Sequence, residues 1–248
     1  MHLPPVSRRP AIAYAWVMLA LDDVRLENPV YAALSGAHSR FARRSGNALR
    51  YAADVAPFLA LPPEASSADW RDAIELVPPG GLAATVHDGG PLPEALQVTH
   101  TFELVQMVGA HACGAHDPEA LTLGAADVPE MLELVRETEP GPFLERTIEL
   151  GKYIGIRRDG ALVAMAGERM HFDGWTEISA VCTAPTQRGR GLASRLVSAL
   201  VADIHGRSEH VFLHVLNDNT NAIRLYEELG FHARRDRTIS VLTRASPD

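Results

Sequence analysis

The apolar positions of this chain change period along its length, and the second half is the easier to follow. "ALTLG" (120–124) reads as a strand. "AADVPEMLELVRET" places Val128, Met131, Leu132 and Val135 on one helical face. Asp127 with Glu130 three residues later suits a cap at its start. "FLERTIEL" suggests a second short helix. "KYIGIRRDGALVAMAGERMHFDGWTEISAVCT" predicts three strands joined by two turns, at "RDG" and "FDG". Asp-Gly supplies the positive φ that tight hairpins need. "GLASRLVSALVADIH" is a helix whose apolar face is Leu192, Leu196, Leu200 and Ile204. "HVFLHVL" is a buried type of strand, and "TNAIRLYEELG" is a helix stopped by Gly230 as its C′ glycine. "FHARRDRTISVLTR" predicts a closing pair of strands. The order β-α-α-β-β-β-α-β-α-β-β defines an α/β (α+β) fold, a mixed central sheet flanked by helices.

The first half is less regular. Pro/Gly/Ser-rich stretches at 61–69, 77–81 and 87–95 separate short apolar segments. Residues 95–110, "ALQVTHTFELVQMVGA", predict a strand followed by a helix. No motif with a mechanism falls in residues 1–115, and there is no repeat. A boundary near 115 divides the 248 residues into an N-terminal lobe, 1–115, and a second domain, 116–248.

Composition narrows the function by exclusion. A net charge of −8 argues against general nucleic-acid binding. Lys152 is the sole lysine, so basic charge is carried by arginine. Cys113 and Cys182 form no CxxC pair, which fits a reducing, cytoplasmic compartment. Cys182, in an apolar run, reads as a buried inert thiol. The eleven histidines show no ligand spacing, so no metal site is expected. Near the N-terminus, Arg8 and Arg9 precede an apolar run at 11–21, loosely like a twin-arginine signal. Asp22 and Asp23 close the run, and it is too short to span a bilayer. A buried element is expected there, and no membrane association.

The candidate chemistry lies in "RGRGLA" (188–193), between a strand and a helix. The first N–H groups of a helix are unpaired, and its dipole adds about half a positive charge. Gly189 and Gly191 would let the backbone approach a phosphate, with Arg188 and Arg190 adding charge. Alone, the segment reads first as a tight turn with two surface arginines. It has neither the GxGxxG spacing of a dinucleotide fold nor the lysine of a P-loop.

Arg188-x-x-Gly191-x-Ala193 resembles the Gln/Arg-x-x-Gly-x-Gly/Ala signature of the GNAT superfamily of N-acetyltransferases, at the strand–helix junction where that family has it. Asn219, Ala222, Tyr226, Gly230 and Phe231 resemble its second element, Asn-x-x-Ala-x-x-x-Tyr-x-x-x-Gly-Phe. The likeness covers roughly residues 119–248, and the layout is similar to the two-lobed branch that includes glycine N-acyltransferase-like proteins. It implies a smaller, degenerate GNAT-like lobe upstream. It also implies acetyl-CoA as cosubstrate, with the backbone of Val181, Cys182 and Thr183 along the pantetheine arm. Arg188, Gly189, Arg190, Gly191, Leu192, Ala193 and Ser194 would wrap the pyrophosphate, with Asn219 and Ala222 near the sulfur. By family position Tyr226 is the acid for the leaving thiolate, and Glu177 the candidate base. Strand alternation would place Glu177, Ser179, Val181 and Thr183 on one face. His171 and Glu168 are substitutes for the base, and the N–H near Val181 is the oxyanion donor. The partner is an amine on a small molecule, amino acid or peptide, with residues 125–150 and 231–240 shaping its pocket. A CoA-binding sensor without turnover is the alternative reading, and a homodimer is compatible with either.

Overall fold

The structure, a computed structural model, describes residues 22–86 and 92–245. The apolar run at 11–21 lies outside the described residues. Helix α1 (Pro29–Ser35) is followed by strands β1 (Ala42–Ser45), β2 (Ala48–Tyr51) and β3 (Leu59–Ala60), then helix α2 (Ser67–Leu76). Strands β4 (Leu82–Val86) and β5 (Leu96–Val108) complete the first half. The second half runs β6 (Leu121–Leu123), α3 (Val128–Thr138), β7 (Tyr153–Arg158), β8 (Ala161–Phe172), β9 (Trp175–Thr183), α4 (Leu192–Gly206), β10 (His210–Leu216), α5 (Thr220–Glu228) and β11 (His232–Arg244).

Strands β1–β3 make a small sheet, and the other eight form one large sheet in the order β4-β11-β5-β10-β9-β8-β7-β6. Its pairings are antiparallel except β9 with β10. The β7–β8 hairpin turns at Asp159 (φ 52°) and Gly160 (φ 84°), both left-handed as the Asp-Gly pair predicts. All four apolar positions expected on α4 are buried against the sheet. Helix α5 ends as expected at Gly230, whose φ is 89°. There the Phe231 N–H donates to the Tyr226 carbonyl at 2.9 Å, closing a Schellman turn.

Three expectations are corrected. Residues 95–110 hold one 13-residue strand, β5, and no helix. The closing pair of strands is a single strand, β11, whose long partner is β5 rather than its own second half. A bulge between Ala233 and Arg235, near its start, shifts the register without reversing the chain. "FLERTIEL" holds only a 3-10 turn at Thr147–Leu150. There the Thr147 hydroxyl donates to the Val55 carbonyl at 2.6 Å, tying the turn to the first half.

The large sheet also crosses the expected boundary at 115. β4 and β5 come from the first half, yet β5 lies between β10 and β11. One hydrophobic cluster lies between the sheet and α4. Another mixes Leu26, Val30, Tyr51 and Phe58 with Met170, Phe172, Trp175 and Phe212. The first half therefore covers the sheet face opposite α4, over β8, β9 and β10. That cover roofs the fork described next.

Candidate active site at the fork of two strands

β9 and β10 are hydrogen-bonded neighbours for only three residue pairs, ending at Glu177 with Phe212. β9 then continues to Thr183 and β10 to Leu216 without further pairing to each other. A non-glycine residue in a left-handed conformation marks the divergence: Ala180, at φ 52°. It sits where the β8–β9 register slips, between Gly167 opposite Ser179 and Met165 opposite Cys182. Such a bulge turns a strand away from its neighbour. It also resets the alternation. Ile178 and Val181 pack on the α4 side, whereas Ala180 and Cys182 pack on the α3 side. The expected common face of Glu177, Ser179, Val181 and Thr183 is therefore broken after Ser179.

The open end of the fork meets the glycine loop. Gly191 (φ 70°) caps α4 and Gly189 (φ 75°) precedes it. A Cβ on either would project into open space. Arg188 and Arg190 flank them, both exposed. Leu192 turns its side chain into the core. It can offer a ligand only its backbone; Ala193 and Ser194 follow it in the first turn. Beside this cradle two buried side-chain oxygens, Thr183 Oγ1 and Gln187 Oε1, have no partner. Open glycines, unpaired helix N–H groups, two arginines and orphaned polar atoms fit a pyrophosphate and a polar arm.

Asn219 Oδ1 accepts from the Ala222 N–H at 3.1 Å, so this residue caps α5 whatever else it touches. Asn219→Ala is expected to lower stability by about 1 kcal/mol in urea unfolding. Four residues past Ala222, Tyr226 is 8% exposed and packs edge-on against Phe231. Burial pushes its hydroxyl up to about 12, with a smaller contribution from the neighbouring Cys182. The phenol thus holds its proton at neutral pH. Cys182 is buried, and burial lifts its thiol to about 11, in line with an inert sulfur.

The closed end of the fork holds Glu177, which is fully buried. Its two oxygens accept from Arg169: Nη2 to Oε1 at 2.7 Å and Nε to Oε2 at 2.8 Å. His214 Nδ1 lies 2.7 Å from Oε1, reaching across from β10. Burial alone would raise the carboxyl. The Arg169 charge and hydrogen bonds, with the bond from His214, outweigh it and bring Glu177 down to about 2. Arg169 in turn lies 5.1 Å over the ring of Phe58, from the first half. Beyond His214 the polar chain continues through Gln106, Arg234 and Glu27. The substitute bases are held elsewhere, Glu168 by Arg207 and His171 by Glu209.

The structure therefore gathers Glu177 at the closed end of the fork, the β9 residues Val181–Thr183 along its open edge, and the loop residues 188–194 at its mouth. Arg169, His214 and Gln106 escaped the sequence reading. Their partners lie 8 to 128 residues away. The available signal was polar residues interrupting apolar strands, in "GERMHF" and "HVFLHVL".

The FR47-like protein family matches residues 153–240. A GNAT-family acetyltransferase structure from Novosphingobium aromaticivorans is 37% identical, with a TM-score of 0.83 over 90% of this chain and 100% of that one. A GCN5-related N-acetyltransferase from Kribbella flavida shares the fold at 20% identity, with a TM-score of 0.60 over 88% of this chain and 95% of that one. A GCN5-related N-acetyltransferase-like protein from Streptococcus suis shares it at 15% identity, with a TM-score of 0.56 over 94% and 99%. No curated protein matches. The chain belongs to the GNAT superfamily of N-acetyltransferases, enzymes that move an acyl group from a CoA thioester to an amine. No described helix is long and apolar enough to cross a membrane, and no described group of side chains forms a metal-binding cluster.

Proposed function

We propose that this chain transfers the acetyl group of acetyl-CoA to an amine of a small molecule, amino acid or peptide, by direct attack on the thioester. The observation that carries this reading is the fork. An open glycine cradle lies at its mouth, an unpaired strand edge follows, and a buried charged pair closes it. The cradle holds the pyrophosphate through the N–H groups of residues 189–194. The free edge of β9 at Val181, Cys182 and Thr183 pairs with the amides of the pantetheine arm as a strand would. That leads the thioester toward the closed end, and the N–H near Val181, on the open edge, supports the oxyanion.

Three groups then share the chemistry. Glu177 supplies negative charge where the amine must shed a proton. Tyr226 gives its hydroxyl proton to the departing thiolate. The first half of the chain, with Phe58 and Tyr51, roofs the acceptor side and excludes water. The test is calorimetric titration with acetyl-CoA, followed by thiol release against amines. Tyr226→Phe is expected to slow release by roughly tenfold to a hundredfold and leave the acetyl-CoA Kd unchanged. Unaltered turnover would remove Tyr226 from the reaction, and absence of acetyl-CoA binding would remove the whole reading.

A further inference from the structure

We infer that His214, rather than Glu177 itself, takes the proton from the acceptor amine, with Glu177 and Gln106 as the residues that position it. The inference rests on the transferase reading above and concerns the same fork. Glu177 has no exposed surface, and Arg169 occupies both of its oxygens. A carboxylate so held has no free path to a substrate proton. The His214 side chain keeps 11% of its surface. It stands on β10 two residues past the last pair with β9, where the two strands have parted, and it is the member of the pair that keeps some exposed surface.

The hydrogen-bond network also fixes which nitrogen carries the proton. Glu177 can only accept, so the 2.7 Å contact requires a proton on His214 Nδ1. Gln106 checks this from the other side. Its Oε1 accepts from Arg234 Nη1 at 2.9 Å, and its Nε2 donates to the Leu26 carbonyl at 2.9 Å. Its amide therefore cannot be flipped. The remaining hydrogen on Nε2 points at His214 Nε2, 3.2 Å away. That imidazole nitrogen must present a lone pair. With Nδ1–H bound to a carboxylate and Nε2 offering its lone pair, the ring has the arrangement a general base needs.

The charged groups around His214 are Glu177 on β9, Arg169 on β8, and Arg234 on β11, which reaches it through Gln106. Glu27, before α1, neutralises part of the arginine charge from Arg234, Arg235 and Arg237. From the first half, the Tyr51 hydroxyl feels the Glu177 charge while lying 2.8 Å from His38 Nδ1. Glu177 is the anion in direct contact with the ring, so protonation of Nε2 yields an imidazolium already paired.

The step balances as follows. The acceptor ammonium displaces the long, neutral Gln106 bond and gives one proton to Nε2. The freed nitrogen lone pair forms the N–C bond to the acetyl carbonyl. The tetrahedral adduct collapses with cleavage of C–S. The thiolate takes the Tyr226 proton, and the nitrogen's second proton restores Tyr226. His214 then returns its proton to water.

The test compares wild type, His214→Gln and Glu177→Gln in thiol release from acetyl-CoA. The acceptors are a panel of amino acids, their amides and simple arylalkylamines, across pH. His214→Gln is expected to lower kcat/KM about a hundredfold, erase the acidic limb of its pH profile and leave the acetyl-CoA Kd unchanged. Glu177→Gln should keep an acidic limb, moved to lower pH because the imidazolium has lost its anion. If Glu177 were the base, that limb would vanish in Glu177→Gln and survive in His214→Gln, and either result overturns the inference alone. Because Glu177→Gln reads the same question separately, a misfolded His214→Gln does not shield it. No release by the wild type on any of these amines would overturn the transferase reading and the inference with it.

Discussion

Gly191→Glu is expected to weaken acetyl-CoA binding by about a thousandfold in calorimetric titration. Two causes act together. Gly191 holds φ at 70°, a left-handed geometry that costs other residues roughly 1–2 kcal/mol. A Cβ there meets open space rather than protein, so the new carboxylate would stand in the proposed pyrophosphate site. One unit charge about 4 Å from another, near a protein surface, is worth about 4 kcal/mol, which is close to three powers of ten in Kd. Gly191→Ala separates the two causes. It imposes the backbone cost without the charge, so its affinity should fall far less. Equal loss in both variants would mean that backbone shape alone governs the cradle.

Arg169→Met is expected to destabilise the fold by about 3–5 kcal/mol at pH 7 in urea unfolding. Removing the guanidinium strands the fully buried Glu177 charge, with only His214 left beside it. The double variant Arg169→Met with Glu177→Gln should recover most of that loss, since no uncompensated charge remains. The pH dependence follows from the directions of the shifts. In the wild type Glu177 is depressed to about 2, so its contribution is present above the ordinary carboxylate range. It drains away as pH falls from that range toward 2. In Arg169→Met burial dominates and the carboxyl rises, so the deficit is greatest at neutral pH and shrinks on acidification. A deficit that grows on acidification would contradict this account.

The glycine loop and the helices α4 and α5 were legible because their signals are local. Leu192, Leu196, Leu200 and Ile204 repeat on one helical face, Gly230 sits where a left-handed stop is needed, and Asp159–Gly160 encodes its own turn. β5 and β11 were not legible for a physical reason. Seven consecutive residues of β5 are exposed on both faces, so no apolar alternation marks the strand. Its partners are set by register with residues more than a hundred positions away. Residue 177 could be placed at the fork, but not its surroundings. Whether a buried glutamate is free or clamped depends on Arg169 and His214, and neither strand announces the other. The bulge at Ala180 was hidden too, since alanine carries no preference for a left-handed conformation.

The placement of β5 also bears on how the chain reaches its native state. β5 emerges early in synthesis, yet both of its neighbours, β10 and β11, are made more than a hundred residues later. Until then a long strand waits with two open edges, the condition under which chains pair with the wrong partner. Pairing across such a separation makes folding slow compared with helix or hairpin formation. The seven exposed positions, dominated by threonine, histidine and glutamate around Phe102 and Val98, make that waiting strand less adhesive than an apolar one. A fragment beginning after residue 115 would lack β5 and leave the His214 strand as an uncovered edge. The part of the chain that bears no motif is thus what allows the motif-bearing part to close.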